Sequence, residues 1–307
     1  MTVVQSSIPA RQNEPASMSL VRAMATSHAR AQRLHGLRTL SALVLAAAGL
    51  VAAFESSIAM AVTMSGAAWA VAYSLGLASW SSTEVRRAAV LQEMLDVRLF
   101  KLPWNPIIAG EPLAAHEVSG LDRRFRGRPD LLRDYYEIPD LPEPFDVLAC
   151  QQQNLGWGAR IRRRYARAVL AAICAWASAG VLIGVVAGLH VTQLLLRWYI
   201  PSLAVLLVGL ETYRGQRDIA RDREGALSQL RSRIEEAISS PSTAESATEL
   251  RMLARQVQDL IFSTRCRQTR VPDLFFLRFR QDDSTDFRAA MAELGHLVAR
   301  ARSHPVS

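Results

Sequence analysis

Four side chains in the middle of the chain carry hydrogen-bonding or aromatic groups at intervals of three: Gln151, Asn154, Trp157 and Arg160. In a helix, this spacing places Gln151, Asn154 and Trp157 along one face. An indole can stack on a nucleobase, and a guanidinium can pair with a phosphate. A helix face with these groups is therefore chemically able to bind a base and a phosphate.

A second segment offers similar groups, because Trp104 and Asn105 precede the arginines of residues 123–128. The first segment also has a structural interpretation. The arginines at 162–164, next to the first segment, are typical of a basic collar at lipid headgroups. The amides and Trp157 can equally hydrogen-bond inside the protein, so the sequence leaves both interpretations open.

Motifs of catalysis and metal binding are missing from the sequence. It contains no GxxxxGK[ST] loop, no GxGxxG, no HExxH and no GxSxG elbow. The six histidines are scattered, and the three cysteines are too few for a disulfide framework or a zinc site. We therefore expect no enzyme activity, no catalytic residue, no metal and no cofactor.

Two long stretches of the chain contain almost no charge. In residues 39–83 the single charged residue is Glu55, and in residues 168–210 it is Arg197. A membrane span needs about 20 mostly apolar residues, so each stretch fits two spans joined by a tight turn. Helices buried in a soluble core are the alternative, but four uncharged runs of this length rarely occur in one. The predicted spans are 38–54, 58–80, 167–188 and 191–211.

The predicted fold class is an all-α integral membrane protein with two transmembrane helical hairpins and a mainly helical cytoplasmic region. Residues 250–261 repeat apolar side chains at intervals of three and four, which predicts an amphipathic helix. Residues 103–144 are rich in proline and glycine, which predicts short, irregular elements. The predicted segments are an N-terminal cytoplasmic segment (1–37), hairpin 1 (38–83), a cytoplasmic middle segment (84–166), hairpin 2 (167–211) and a helical cytoplasmic C-terminal segment (212–307).

The distribution of basic residues predicts the orientation. Of the 36 Lys and Arg residues, 35 lie outside the two nearly uncharged stretches, 39–83 and 168–210, and all of these fall on one side of the membrane. The positive-inside rule places that side, with both termini, in the cytoplasm. The net charge of +8 comes almost entirely from arginine, which reflects codon usage more than chemistry. We therefore expect a lipid bilayer as partner and neither DNA nor RNA.

Three glycines give the third span a double GxxxG pattern: Gly180, Gly184 and Gly188. Glycines at this spacing let helix backbones approach closely in lipid. The pattern therefore predicts helix packing, either within the hairpin or between subunits of a homo-oligomer.

The fourth span contains a charge and a proline. Arg197 lies about two turns inside its outer end, where a charge is costly unless it is solvated or paired. Its side chain can snorkel to the outer headgroups, pair with Glu55 or line a water-filled path. Pro201 lies one turn further on and permits a kink, which can serve gating or be tolerated without function.

Taken in order, these segments resemble a known family, the SMODS-associated four-transmembrane pore-forming effectors of bacterial CBASS anti-phage systems. The resemblance spans nearly the whole chain. It departs from the family pattern at Leu95, Tyr135 and Gly158. The residues that carry it are Ile8, Gln12, Asn13, Glu93, Asp96, Phe100, Trp104, Asn105, Tyr136, Cys150, Gln151, Asn154, Trp157, Tyr165, Gln258, Asp259, Ile261, Phe262, Arg265 and 271–273.

The resemblance implies a membrane effector in the bacterial inner membrane. Such an effector senses a cyclic oligonucleotide made by a partner nucleotidyltransferase, breaches the membrane and stops the infected cell (abortive infection). With this ligand implied, we predict that Trp157 and Arg160 contribute to its site. The other candidate ligand residues are Gln151, Asn154, Trp104 and Asn105. Two other functions fit the residues alone: an ordinary channel or transport accessory subunit without nucleotide sensing, and a membrane-anchored enzyme with an unrecognised site.

Overall fold

The computed structural model describes residues 7–53, 55–239, 244–267 and 270–303. All regular secondary structure in these ranges is helical, which confirms the all-α prediction. The α-helices are α1 (Ile8–Arg11), α2 (Pro15–Ala52), α3 (Ala59–Ala72), α4 (Ala78–Phe100), α5 (Pro106–Ala109), α6 (Ala115–Asp122), α7 (Phe145–Val186), α8 (Val191–Leu194), α9 (Ile200–Ser239), α10 (Ala244–Arg267) and α11 (Asp273–Ser303).

Four helical segments are long and apolar enough to cross a membrane, which confirms the predicted number of spans. Each one overlaps a predicted span and continues well beyond it. Large apolar side chains such as Leu40, Met60, Leu75 and Val186 are exposed on these segments, as expected for surfaces that contact lipid. The segments are Pro15–Ala52, Ala59–Phe100, Phe145–Val186 and Val191–Ser239.

The chain divides into two compact units. One, here called the span unit, comprises Arg30–Glu84 and Arg162–Asp218 and contains the four predicted spans. The other, here called the bundle unit, comprises the described residues of Met1–Ala29, Val85–Ile161 and Ile219–Ser307. Helices α2, α4, α7 and α9 contribute residues to the bundle unit as well as to the four membrane-crossing segments.

The bundle unit has a hydrophobic core. On α4, Leu91, Leu95 and Leu99 recur every four residues, so they line one helix face, and each is at most 1% exposed. Helix α10 covers the predicted amphipathic stretch, and Leu250, Val257 and Ile261 of that stretch are buried. Other fully buried members of this core are Ile8, Leu148, Leu155, Leu230 and Met291.

The loop between α4 and α7 contains short elements, as predicted. Asn105 caps α5, because its side-chain oxygen accepts a hydrogen bond from the Ile107 N–H at 3.2 Å. Pro106 follows at the first helical position, and Gly110 ends the helix with a φ of 74°. These signals fix the backbone that follows Trp104 and Asn105.

The span unit contains two π-helical turns, at Tyr73–Leu77 and Leu195–Tyr199. In the second turn, the Ile200 N–H bonds to the Leu195 carbonyl five residues earlier. Pro201 supplies a reason for this turn, because it has no N–H to donate to the Arg197 carbonyl in α-helical geometry.

Candidate functional site

Many of the residues that carry the family resemblance meet in one buried polar network in the bundle unit. Its centre is Asp96 on α4, whose side chain is 0% exposed. The carboxylate accepts hydrogen bonds from the Tyr136 hydroxyl at 2.8 Å, the Gln258 amide at 2.9 Å and the Arg265 guanidinium at 2.7 Å. The network thus joins α4, α10 and the loop before α7.

A second carboxylate, Glu93, lies one turn earlier on α4 and is 1% exposed. It accepts hydrogen bonds from the Gln258 amide and from Arg255, each at 2.7 Å. Arg255 also pairs with Asp259 at 2.8 Å, and Asp259 accepts from the Asn105 amide at 3.0 Å. Asn105 therefore has a structural partner as well as its capping role.

The protonation of the network follows from burial and charge. Burial, with Asp96 nearby, raises the pKa of Tyr136 well above its ordinary value, so the phenol stays a donor. Burial alone would lower the pKa of Arg265, but the Asp96 carboxylate raises it, so the guanidinium stays charged. Tyr136 and Arg265 therefore both keep the protons that they donate to Asp96.

Gln12 and Gln151 extend the network. The Gln12 side chain bonds both backbone groups of Tyr136, accepting from the N–H at 2.8 Å and donating to the carbonyl at 3.2 Å. The Gln151 amide donates to the Ala254 carbonyl at 2.7 Å. The other end of Gln151, its amide oxygen, is buried without a hydrogen-bond partner, and so is one terminal nitrogen of Arg265.

Trp157 and Arg160 lie together on α7, where both contact α11. The Trp157 ring stacks on Phe276 and Phe287, with centroid distances of 5.9 and 5.5 Å. The Arg160 guanidinium lies 4.8 Å from the Phe287 centroid. It also pairs with Asp283 at 3.2 Å and Asp286 at 2.6 Å. The two residues thus provide a stacking surface and a cation side by side.

The other predicted ligand residues have partners elsewhere in the bundle unit. The Trp104 indole donates to the Gly110 carbonyl at 2.7 Å and packs in a small separate cluster that includes Phe262. The Asn154 side-chain oxygen accepts from Arg223 at 3.4 Å. These contacts are the internal hydrogen bonds that the sequence left open as the alternative.

Sequence reasoning did not identify the α11 residues that contact Trp157 and Arg160. Its residues are Phe276, Asp283, Asp286 and Phe287. A signal was present, because Phe276, Asp283 and Phe287 are separated by seven and four residues and so share one helix face. The described residues contain no group of three His, Cys, Asp or Glu side chains that could hold a metal ion.

In the span unit, two of the three predicted packing glycines contact the neighbouring span of the same hairpin. A Cβ on Gly180 would lie 2.4 Å from the Trp198 indole, and one on Gly184 would lie 3.1 Å from Leu194. Gly188 differs from the prediction. Helix α7 ends at Val186, and Gly188 adopts a φ of 63° in the following turn, where the missing Cβ permits a left-handed backbone.

Pro201 packs across the two hairpins, which the sequence did not predict. Its ring meets Gly49 of the first span so closely that a Cβ on Gly49 would lie 2.7 Å from the proline Cβ. Arg197 lies in the π-helical turn just before it. Glu55 is exposed, and its carboxylate accepts from the Ser57 N–H at 3.3 Å.

Comparison with known proteins gives one family. The model of the SMODS-associating 4TM effector domain matches residues 6–294, which confirms the resemblance. A probable CBASS effector molecule from Bacillus cereus (strain VD146) is 22% identical over 202 residues, or 65% of this chain. The chain spans just under two thirds of the length of that relative, 66%. No solved structure matches.

Proposed function

Because the chain belongs to the SMODS-associating 4TM effector family, we propose that it is a CBASS effector, activated by a cyclic oligonucleotide to open the bacterial inner membrane. The nucleotide comes from a partner nucleotidyltransferase, and leakage stops the infected cell. The relative described as a probable CBASS effector supports this assignment. The chain acts in this proposal as a membrane effector and not as an enzyme.

One observation carries the ligand part of the proposal. Arg160, whose side chain is 37% exposed, lies beside the Trp157 ring, so an anion and a base can be bound together. Both residues are on α7, whose later residues form the third predicted span. A ligand that binds one arrangement of α7 better than another biases the rest of that helix.

Leakage in this proposal requires several chains. Four mostly apolar helices in one chain pack against one another, so a water-filled path needs a ring of subunits. Purified protein in dye-loaded liposomes tests the function: we expect leakage only with a cyclic oligonucleotide. Leakage of equal rate without any nucleotide would instead identify an ordinary channel.

We predict that Trp157→Ala and Arg160→Ala each weaken nucleotide binding by roughly tenfold or more, since base stacking contributes about 1–3 kcal/mol. The measurement is the Kd for cyclic di- and trinucleotides of adenosine and guanosine, with thermal unfolding recorded in parallel. Arg251→Ala is the control, because it removes an exposed arginine from the same unit. Unchanged affinity, or a collapse of folding, would return both residues to a structural role.

The orientation is tested by cysteine labelling in intact cells. We expect an impermeant maleimide to modify Ser57→Cys in the outer turn and to leave Ile107→Cys unmodified, because residues 104–145 are proposed to be cytoplasmic. Ile107 is 91% exposed, so protection would reflect the membrane and not burial. The three native cysteines are replaced first. Labelling at position 107 would contradict the orientation.

A further inference from the structure

The two halves of α11 are held differently. In the C-terminal half, Met291, Leu294 and Val298 are buried in the main hydrophobic core. Among residues 273–287, by contrast, only Asp283 and Phe287 are buried. The C-terminal half is therefore anchored by apolar packing, whereas residues 273–287 depend on a few polar and aromatic contacts.

The ion pairs and ring contacts of this first half with α7 fall on the surface that the proposed ligand would use, whereas Ser284 bonds elsewhere, to Glu137, at 3.4 Å. Asp283 and Asp286 pair with Arg160, and Phe276 and Phe287 stack on Trp157 with interplanar angles of 25° and 11°. Both carboxylates thus accept from one terminal nitrogen of the Arg160 guanidinium, the group that a phosphate would bind. Two phenyl rings cover the indole where bases would stack.

From this match we propose that residues 273–287 form a releasable strap, which occupies the ligand surface of α7 in the resting protein and is displaced by the cyclic oligonucleotide. The inference rests on the proposed function, because it concerns the same site. It adds the regulation of that site: the strap is an internal competitor that keeps the protein inactive until the ligand is present.

Exposure and charge explain why the strap can leave. The side chains of Arg160 and Asp286 are 37% and 61% exposed, so a ligand anion can reach the pair from solvent. Asp283 is 1% exposed, and an anion that takes Arg160 removes an ion pair from this buried carboxylate. Loss of an ion pair is more costly for a buried charge than for an exposed one, which favours release of this half of the helix.

Gly156 provides a second, uncharged contribution to the contact between the strap and α7. A Cβ at Gly156 would lie 2.8 Å from the Phe287 ring, so the glycine lets the strap approach α7. Gly156→Ala should therefore loosen the strap without changing any charge. This variant separates the strap from electrostatic effects on nucleotide binding.

The first experiment needs no ligand. Amide hydrogen exchange of the full-length protein is compared with that of Asp283→Asn/Asp286→Asn and of Gly156→Ala. We expect exchange in residues 274–287 to be faster by about tenfold or more in both variants, with residues 291–300 nearly unchanged. Asp222→Asn, which breaks the Arg267 ion pair elsewhere in the unit, is the control and should change neither segment. Unchanged exchange at 274–287 in both variants overturns the strap.

The second experiment adds the cyclic di- and trinucleotides of the binding assay. A nucleotide that binds should speed exchange in residues 274–287 of the wild type, and should bind the double variant more tightly by about tenfold. Binding with slower exchange there overturns the strap, because the ligand then does not displace it. If no nucleotide binds wild type or variants, the proposed function fails, while the first experiment still decides whether the strap exists.

Discussion

Replacement of Arg265 by methionine is expected to lower the free energy of unfolding by about 3–5 kcal/mol, because it leaves the Asp96 carboxylate buried without its cation. The two side chains are 5% and 0% exposed and are joined at 2.7 Å. Tyr136 and Gln258 still donate hydrogen bonds to Asp96, but they bring no charge. Chemical unfolding of the detergent-solubilised protein, followed by circular dichroism, measures the effect.

Arg267→Met is a matched control for this prediction. Arg267 lies two residues further along α10 and pairs with Asp222, but these side chains are 47% and 43% exposed. Exposed ion pairs contribute about 0–1 kcal/mol, so this variant should unfold nearly like the wild type. Equal losses in the two variants would mean that the Asp96 network does not hold the bundle unit together.

Gly180→Leu is expected to reduce nucleotide-dependent leakage by tenfold or more while the protein still inserts in the membrane. The leucine side chain would overlap the Trp198 indole and force the third and fourth spans apart. Gly184→Leu should act in the same direction but less strongly, because its nearest neighbour is the flexible end of Leu194. Leucine favours insertion, so the loss would reflect packing. The measurement is dye release from liposomes with equal amounts of inserted protein.

Gly66→Leu provides the control for the glycine series. Gly66 is in the second span, and a Cβ there would meet no atom within 4 Å. This substitution changes hydrophobicity as Gly180→Leu does, but its Cβ has no neighbouring atom to overlap. Wild-type leakage from Gly180→Leu would show that close approach at this position is not required.

Charge spacing was sufficient to predict the four spans, because a chain in lipid must bury its backbone groups in helices of a fixed minimum length. Glu55 and Arg197 are the two exceptions that mark the otherwise uncharged stretches. The thickness of the bilayer sets a minimum length for a spanning helix but no maximum. The helices can therefore extend beyond the predicted spans, as α7 does from Phe145 to Val186.

The partners of the candidate site could not be predicted in the same way. Spacing assigned Trp157 to a helix face, but it does not say which distant element covers that face. The covering element is set by tertiary packing between residues more than a hundred positions apart in sequence, here between α7 and α11. Gly188 illustrates the reverse case: its spacing fits the GxxxG pattern, yet the helix ends two residues earlier, at Val186.

The π-helical turn at Leu195–Tyr199 has a consequence for how the fourth span tolerates changes in length. Such a turn holds one residue more than α-helical geometry needs. It therefore rotates all later residues of the span about the helix axis by about 100°. With this offset Pro201 faces Gly49, and Glu211 pairs with Arg38. Deleting a single apolar residue from the turn would barely alter hydropathy, yet it would rotate both residues away from the first span. Residue count, more than hydrophobicity, sets the mutual orientation of these helices.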